Sequence, residues 1–333
     1  MGPGTRWPAT ATGLEIRCPV VDLVGVQQTP WTDASEVAPG DILADTTPQP
    51  VRGVPGRYAT VIPDAWRIVY AFGGTTMAAS IRAAVEHLER ADLDLVGAEA
   101  TYCEAIPCGP VAMQVEVLRD GRNGAQALVR CWSLAPGESP DGEVRNDLVV
   151  AVVLGRRRDS ALSFPASRAP EVPDPLDCPA RSTAEDSPFA RIPYHHQTEF
   201  RMASGNVDWS ERTPPGDPEA ASWFRFVRSP MTAEGIWEPA LLAVPGDVLG
   251  VAVHAGVGGT SGFFFVISLQ IGLKFVDDLR TEWVLQHSRA QSANHGFASG
   301  TAELYDSDRS LVAVATQTAL LRPMAADPGA TDA

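Results

Sequence analysis

The sequence is short of positive charge and almost free of lysine. Its 26 Lys and Arg residues, of which Lys274 is the only lysine, are outnumbered by 41 Asp and Glu residues, so the formal charge is −15. Nucleic-acid and anionic-membrane surfaces need clustered positive charge, and this balance argues against both. We therefore expect neither nucleic acid nor a membrane among the partners of this protein.

Cysteine is scarce, and long hydrophobic runs are missing. The five cysteines are odd in number and widely spaced, and no Cys or His pattern fits a zinc site. The run 263–275 is apolar but shorter than the ~20 residues of a membrane span. Residues 1–19 contain no apolar run of signal-peptide length. We expect reduced thiols, no metal or redox cofactor, and a cytoplasmic location.

Two stretches without regular periodicity divide the chain. Residues 1–55 are rich in Pro, Gly and Thr, and residues 156–218 begin with three arginines and carry repeated prolines. Such shifts in composition are typical of extensions and linkers. We predict an irregular N-terminal extension at 1–55, folded units at 56–155 and 219–325, a proline-rich connection at 156–218 and a tail at 326–333.

The two folded units repeat one order of elements. In each, a short strand precedes one apolar or amphipathic helix, and a series of strand-like segments follows. One helix cannot cover both faces of a sheet, so the compact solution is a helix wrapped by a curved antiparallel sheet. The sequence predicts a duplicated α+β protein, with strands at 57–62, 95–106, 111–132 (broken at Asp120-Gly121), 147–154, 223–227, 263–275, 282–305 and 311–321.

A glutamine interrupts the apolar face of the last predicted strand. Gln317 lies in the row that also holds Leu311, Ala313, Ala315, Ala319 and Leu321. A buried amide without partners costs roughly 1–3 kcal/mol, so Gln317 must be satisfied by nearby backbone or must orient a reactant. The matching strand of the first unit, 147–154, has no amide, which favours a functional role.

The helix predicted at 239–254 contains a break. Pro245-Gly246 lies inside its apolar pattern, where proline removes a backbone hydrogen bond and clashes with the preceding turn. We expect a kink or a fresh start, with Asp247 directly after it. An aspartate there either complements the helix dipole or serves as a general base.

The strand at 263–275 has an apolar residue at every odd position, and we predict that this row faces the core. Ser268 then stands on the other, more polar face. A serine in that place either bonds to water or a neighbour, or takes part in a site.

Several segments resemble a known family. Val69-Tyr70-Ala71-Phe72-Gly73-Gly74 and residues 115–122 resemble the first half of type II acyl-CoA thioesterases (the TesB-like group). Residues 311–323 are similar to the last strand of that family. The resemblance implies a double hot-dog fold, an α+β class, over roughly residues 57–323, apart from the proline-rich connection.

The resemblance also implies a site. The family carries an Asp on the second helix, a Thr or Ser on the next strand and a Gln on the last strand, which fall on Asp247, Ser268 and Gln317. Gly73 and Gly74 resemble its backbone amides near the thioester. The chain departs from the pattern at Gln270, where an acidic residue is common, and at the short loop 276–281.

The implied activity is hydrolysis of fatty acyl-CoA to fatty acid and CoA, with homo-oligomerisation left open. A non-catalytic acyl-CoA or acyl-carrier binding protein would use the same fold. A hot-dog hydratase or dehydratase would need a His–acid pair, and Asp247 and His254 are too far apart in sequence to match it. Arginines that could meet the CoA phosphates are Arg119, Arg122 and those at 156–158.

Overall fold

The computed structural model describes residues 37–158, 162, 164, 166–181, 189–205, 214–259 and 264–323. The predicted extension therefore lies outside the described residues up to position 36, and so does the predicted tail at 326–333. From residue 37 to 55 the chain forms a short helix and a two-residue strand against the first unit.

Within the described residues the chain forms five α-helices and twelve strands. The helices are α1 (Ile42–Asp45), α2 (Gly73–Leu88), α3 (Tyr194–Gln197), α4 (Ala243–Gly246) and α5 (Leu249–Val257), with 3₁₀ turns at Asp64–Trp66, Pro175–Asp177 and Pro239–Leu242. The strands are β1 (Gln49–Pro50), β2 (Arg57–Ile62), β3 (Asp94–Tyr102), β4 (Gly109–Gly121), β5 (Gly124–Ser133), β6 (Leu148–Gly155), β7 (Thr198–Ser204), β8 (Glu219–Phe226), β9 (Phe264–Phe275), β10 (Val284–Asn294), β11 (Phe297–Tyr305) and β12 (Leu311–Pro323).

All twelve strands belong to one antiparallel sheet, in the order β1-β2-β4-β5-β6-β3-β9-β12-β11-β10-β8-β7. The two units meet edge to edge where β3 pairs with β9, from Gly97 opposite Lys274 to Thr101 opposite Gln270. The order β2-β4-β5-β6-β3 is repeated in reverse by β9-β12-β11-β10-β8. This duplicated helix-on-sheet architecture confirms the predicted double hot-dog.

The first central helix, α2, forms as its periodicity predicts. Met77, Ile81, Ala84 and Leu88, which recur at helical spacing, are buried against β4 and β5, whereas Val85 is 38% exposed. The helix ends at Glu89, whose backbone adopts the left-handed conformation with φ of 50°.

The second central helix is broken where the sequence predicts. It runs through the 3₁₀ turn Pro239–Leu242 and α4, stops at Asp247 and resumes as α5. By length and composition the segment Pro239–Val257, with a mean hydropathy of 1.7, could cross a membrane, a match that the sequence analysis overlooked. However, 67% of its most apolar window is buried inside the protein, as in the core helix of a folded domain.

One strand lies where the sequence analysis expected only connection. β7 falls within residues 156–218 and pairs with β8 at the outer edge of the second unit. Prolines lie on both sides of this strand, the nearest at Pro193 and Pro214, and they led to the prediction of a connection.

The central helices cross at Gly74. A Cβ at this position would lie 2.5 Å from the carbonyl oxygen of Ala243 and 2.6 Å from the Cα of Val244. These are backbone atoms of the 3₁₀ turn and α4 region, so they cannot move aside cheaply. Only glycine lets α2 and the second helix approach this closely.

We therefore predict that Gly74→Ala lowers the free energy of unfolding by about 1–3 kcal/mol, because the added methyl group overpacks the helix crossing. Urea denaturation measures the change. Gly250→Ala is the matched control, because a Cβ there would lie at an ordinary 3.6 Å from Val266 and alanine favours a helix. Equal stability of Gly74→Ala and the wild type would contradict this account of the crossing.

Candidate active site

Asp247 lies in the gap between α4 and α5. Its backbone, with φ of −86° and ψ of 64°, is not helical, and its N–H donates to the carbonyl of Val244 at 3.3 Å. Val248 precedes the first residue of α5. The break turns the Asp247 side chain toward the start of α2 and toward β9 and β12.

A β-bulge brings Ser268 to the same side. The pairing of β9 with β12 shifts between Thr318–Gln270 and Ala319–Ser268, so Leu269 is an extra residue on β9. One extra residue reverses the faces of a strand. The helix-facing residues are therefore Phe264, Val266 and Ser268 before the bulge, and Ile271, Leu273 and Phe275 after it.

The bulge corrects one prediction from the sequence. The expected core row of odd positions is right for residues 271–275 and wrong for residues 264–268. Ser268 does not stand on an outer polar face. It points at the helices, where its hydroxyl donates to Oδ1 of Asp247 at 2.8 Å.

Gln317 occupies the apolar face of β12, as predicted, and is 7% exposed. Its Oε1 accepts a hydrogen bond from the N–H of Leu249 at 3.1 Å. Its Nε2 donates to Oδ1 of Asp247 and to Oγ of Ser268, both at 2.7 Å. Because Oε1 must face a backbone N–H, the amide group must present its NH₂ to the carboxylate.

A glycine on β11 makes room for the hydrogen bond between Leu249 and Gln317. Gly300 lies opposite Gln317, and a Cβ on it would collide with the side chain of Leu249 and lie 2.5 Å from the carbonyl oxygen of Arg289. Glycine at this position allows the first residue of α5 to sit against the sheet. The Leu249 N–H can then reach Gln317.

The other carboxylate oxygen of Asp247 contacts the first unit. The N–H of Gly74, in the first turn of α2, donates to Oδ2 at 3.2 Å. A Cβ on Gly73 would lie 2.8 Å from the same oxygen, so no side chain fits there. The two glycines that the resemblance associates with substrate thus lie directly against Asp247, and a substrate-binding role for them stays a prediction.

Burial shapes the ionisation of Asp247. Removal from water raises the pKa of Asp247 to about 6, against the hydrogen bonds from Ser268, Gln317 and Gly74, which favour the charged form. The carboxylate is mostly ionised at neutral pH and can still take up a proton there. This is the range in which a general base works well.

The five predicted site residues lie together around the Asp247 carboxylate. The histidine considered for a hydratase-type pair, His254, has other neighbours. His254 places Nδ1 2.7 Å from the carbonyl oxygen of Gly250 and Nε2 3.2 Å from that of Phe264, so these ring nitrogens face the backbone. Among the described residues no group of three or more His, Cys, Asp or Glu side chains could hold a metal ion.

The arginines proposed for CoA phosphates differ in their surroundings. Arg156 pairs with Asp92, and Arg157 pairs with Asp278 at 2.8 Å. Arg119 and Arg122 lie exposed at the β4–β5 hairpin. Arg158 is exposed as well, and which of these arginines meet the CoA phosphates stays a prediction.

The sequence analysis missed Tyr102. This residue ends β3, and its hydroxyl donates to the carbonyl of Gly73 at 2.8 Å. No motif marks it, because its role depends on the packing of β3 beside the start of α2. The only signal in the sequence is that Tyr102 is the one aromatic residue of β3.

Comparison with known proteins identifies the family. The acyl-CoA thioesterase N-terminal domain matches residues 62–154, and the acyl-CoA thioesterase C-terminal domain matches residues 175–321. No curated protein sequence matches the chain significantly.

Solved structures share the fold. A hot-dog protein of unknown function from Alicyclobacillus acidocaldarius has a TM-score of 0.69 and 20% identity, over 86% of this chain and 100% of that one. The acyl-CoA thioesterase II TesB2 of Mycobacterium marinum has a TM-score of 0.64 and 19% identity, over 86% and 99%. The tesB protein of Mycobacterium avium subspecies paratuberculosis has a TM-score of 0.63 and 15% identity, over 85% and 99%.

Fold and family matches together define the class of this protein, which is a thioester hydrolase built on a double hot-dog. Because the two domain matches span most of the sheet and both central helices, the chain belongs to the acyl-CoA thioesterase family.

The raised pKa of Asp247 has a consequence for stability. In the folded protein this pKa is about 6, above the ordinary 3.8, so the folded state binds the proton more tightly than the unfolded state does. The protonated form is therefore favoured by folding, and stability falls as pH rises from 3.8 toward 6.

We predict that the wild type loses about 1 kcal/mol of unfolding free energy relative to Asp247→Asn between about pH 5 and 7.5. Urea denaturation of both proteins across that range measures it, and the difference cancels the titration of all other groups. A difference that is constant with pH would show that the pKa of Asp247 is not raised.

Proposed function

We propose that this protein hydrolyses fatty acyl-CoA thioesters to the free fatty acid and CoA, with Asp247 as general base. The observation that carries the proposal is the half-buried Asp247, whose carboxylate has a raised pKa and is held by Ser268, Gln317 and the N–H of Gly74. Three donors fix its position without adding a counter-charge, so it keeps its affinity for a proton.

The chemistry follows from this arrangement. A water beside Asp247 gives its proton to the carboxylate while its oxygen attacks the thioester carbonyl, which becomes a tetrahedral oxyanion. When the oxyanion collapses, the C–S bond breaks and the CoA thiolate leaves; it takes up the proton held by Asp247, which restores the carboxylate. The Ser268 hydroxyl and the Gln317 amide orient the attacking water relative to the carbonyl.

Backbone amides at the helix starts stabilise the oxyanion in this proposal, and the N–H of Gly73 is the candidate donor in the first turn of α2. The Gly74 N–H already bonds to Asp247, so it fixes the base in the free enzyme. We place the reaction in the cytoplasm, in keeping with the free thiols of the four described cysteines.

A non-catalytic acyl-CoA or acyl-carrier binding role and a hydratase or dehydratase reaction are the alternatives. Release of free thiol from a panel of acyl-CoAs of rising chain length distinguishes them, because only thioester hydrolysis liberates CoA. We expect release, with the fastest chain length defining the substrate range. Binding without thiol release across the panel would contradict the proposal.

Asp247→Asn should lower kcat by about 10²–10⁴-fold with acyl-CoA binding retained, because the amide cannot accept the proton of water. Steady-state kinetics and a binding titration with a non-hydrolysable acyl-CoA analogue measure the two effects. A variant with near-normal kcat would show that Asp247 only ends a helix.

Ser268 and Gln317 can be tested by matched substitutions. Ser268→Thr keeps the hydroxyl that donates to Asp247 and should retain much of the activity, whereas Ser268→Ala removes it and should not. Gln317→Ala removes three hydrogen bonds and should lower both turnover and stability. Thermal unfolding measured beside kcat separates the two losses, and full activity of Ser268→Ala would exclude the hydroxyl from the reaction.

A further inference from the structure

One peptide group connects the two units at the proposed site. Its N–H, from Gly74, donates to Oδ2 of Asp247 at 3.2 Å, and its carbonyl, from Gly73, accepts a hydrogen bond from the Tyr102 hydroxyl at 2.8 Å. Tyr102 ends β3. A side chain of the first unit thus reaches the carboxylate of the second through a single peptide plane.

Three side chains bond to this peptide, since its carbonyl accepts a hydrogen bond from the Thr76 hydroxyl at 3.0 Å as well as from Tyr102. Both of its residues are glycines, so the backbone on either side is free to adopt conformations that other residues avoid. It lies in the first turn of α2, where the N–H groups have no partner inside the helix. Its orientation therefore depends on what bonds to its two ends.

Steric contacts do not replace the hydrogen bond. A Cβ on Gly73 would lie 3.2 Å from the Tyr102 hydroxyl and 2.8 Å from Oδ2 of Asp247, so the peptide is bracketed by these two groups. Loss of the Tyr102 hydroxyl would leave the Gly73 carbonyl with the Thr76 hydroxyl, which comes from the same helix, and with no donor from β3. The peptide plane could then tilt, and the N–H would point less well at the carboxylate.

We propose that Tyr102 is a positioning residue for Asp247, which acts by holding the Gly73–Gly74 peptide so that its N–H meets the carboxylate. The hydroxyl also polarises the peptide, since hydrogen bonds in a chain strengthen one another. The inference rests on the proposed role of Asp247 as base. Tyr102 itself touches no reacting atom.

The surroundings of Asp247 make this effect measurable. The titratable side chains that act on it are Tyr102 from β3 and Tyr194 from α3, and burial raises the pKa of both. Neither changes charge near neutral pH. Contacts from α2, β9 and β12 come from a backbone amide, a hydroxyl and a carboxamide, which do not titrate. Replacing Tyr102 by Phe therefore removes a hydrogen bond and no charge.

The test is the pH dependence of kcat/KM for an acyl-CoA, which reports the ionisation of the free enzyme. In the wild type we expect the rate to fall below a pH near 6, as Asp247 becomes protonated. Tyr102→Phe weakens a bond that favours the charged form, so this acid limb should move up by about half to one pH unit. The plateau at high pH should be retained.

Tyr305→Phe is the matched control. Its hydroxyl also donates to a backbone carbonyl, that of Arg168 at 3.2 Å, and Asp247 does not act on it. Its acid limb should coincide with that of the wild type. Unfolding measured at each pH gives the midpoint of the Asp247-dependent loss of stability, a readout that needs no activity. In Tyr102→Phe this midpoint should move together with the acid limb.

Two results would overturn the proposal, and they differ in kind. If Tyr102→Phe lowers the rate by the same factor at every pH and the limb stays in place, Tyr102 is merely structural and Asp247 keeps its role. If the limb of the wild type survives in Asp247→Asn, the base itself is assigned wrongly, and the role of Tyr102 falls with it.

Discussion

Three hydrogen bonds converge on the carboxylate of Asp247, and much of the architecture exists to bring their donors together. The Gly74 N–H comes from the first unit, while the Ser268 hydroxyl and the Gln317 amide come from neighbouring strands of the second. Each donor needs a local irregularity. The first helix must begin with glycines, β9 must carry a bulge, and the second helix must stop before it reaches Asp247.

These irregularities cost stability and serve the chemistry. An interior proline, a bulge and a desolvated carboxylate each work against the fold, and ionisation of Asp247 is less favourable in the folded protein than in the unfolded chain. The large apolar core around both central helices offsets these costs. A site that is locally strained within a well-packed sheet is what one expects where function has shaped the sequence.

The fold was largely predictable because its signals are periodic and repeated. The order of elements showed the duplication, and β2 and the hairpin strands β4 and β5 lie close to their predicted positions. Asp247 and Gln317 were recognisable because each breaks an apolar pattern that surrounds it.

The remaining features depend on contacts between distant segments. The bulge at Leu269 leaves no mark in an unbroken row of apolar residues, so the facing of Ser268 was predicted wrongly. Tyr102 and Gly300 matter because of what lies across from them in the folded sheet. The strand β7 was missed because prolines surround it.

The central claim is that the Asp247 carboxyl has a pKa near 6 and that hydrolysis requires its ionised form. An NMR titration of the protein with ¹³C-labelled aspartate carboxyls, assigned by comparison with Asp247→Asn, observes it directly. The account predicts a midpoint near pH 6 for this one carboxyl, equal to the midpoint of the acid limb of kcat/KM. A carboxyl that titrates near the ordinary value of 3.8, while the rate still falls near pH 6, would contradict it.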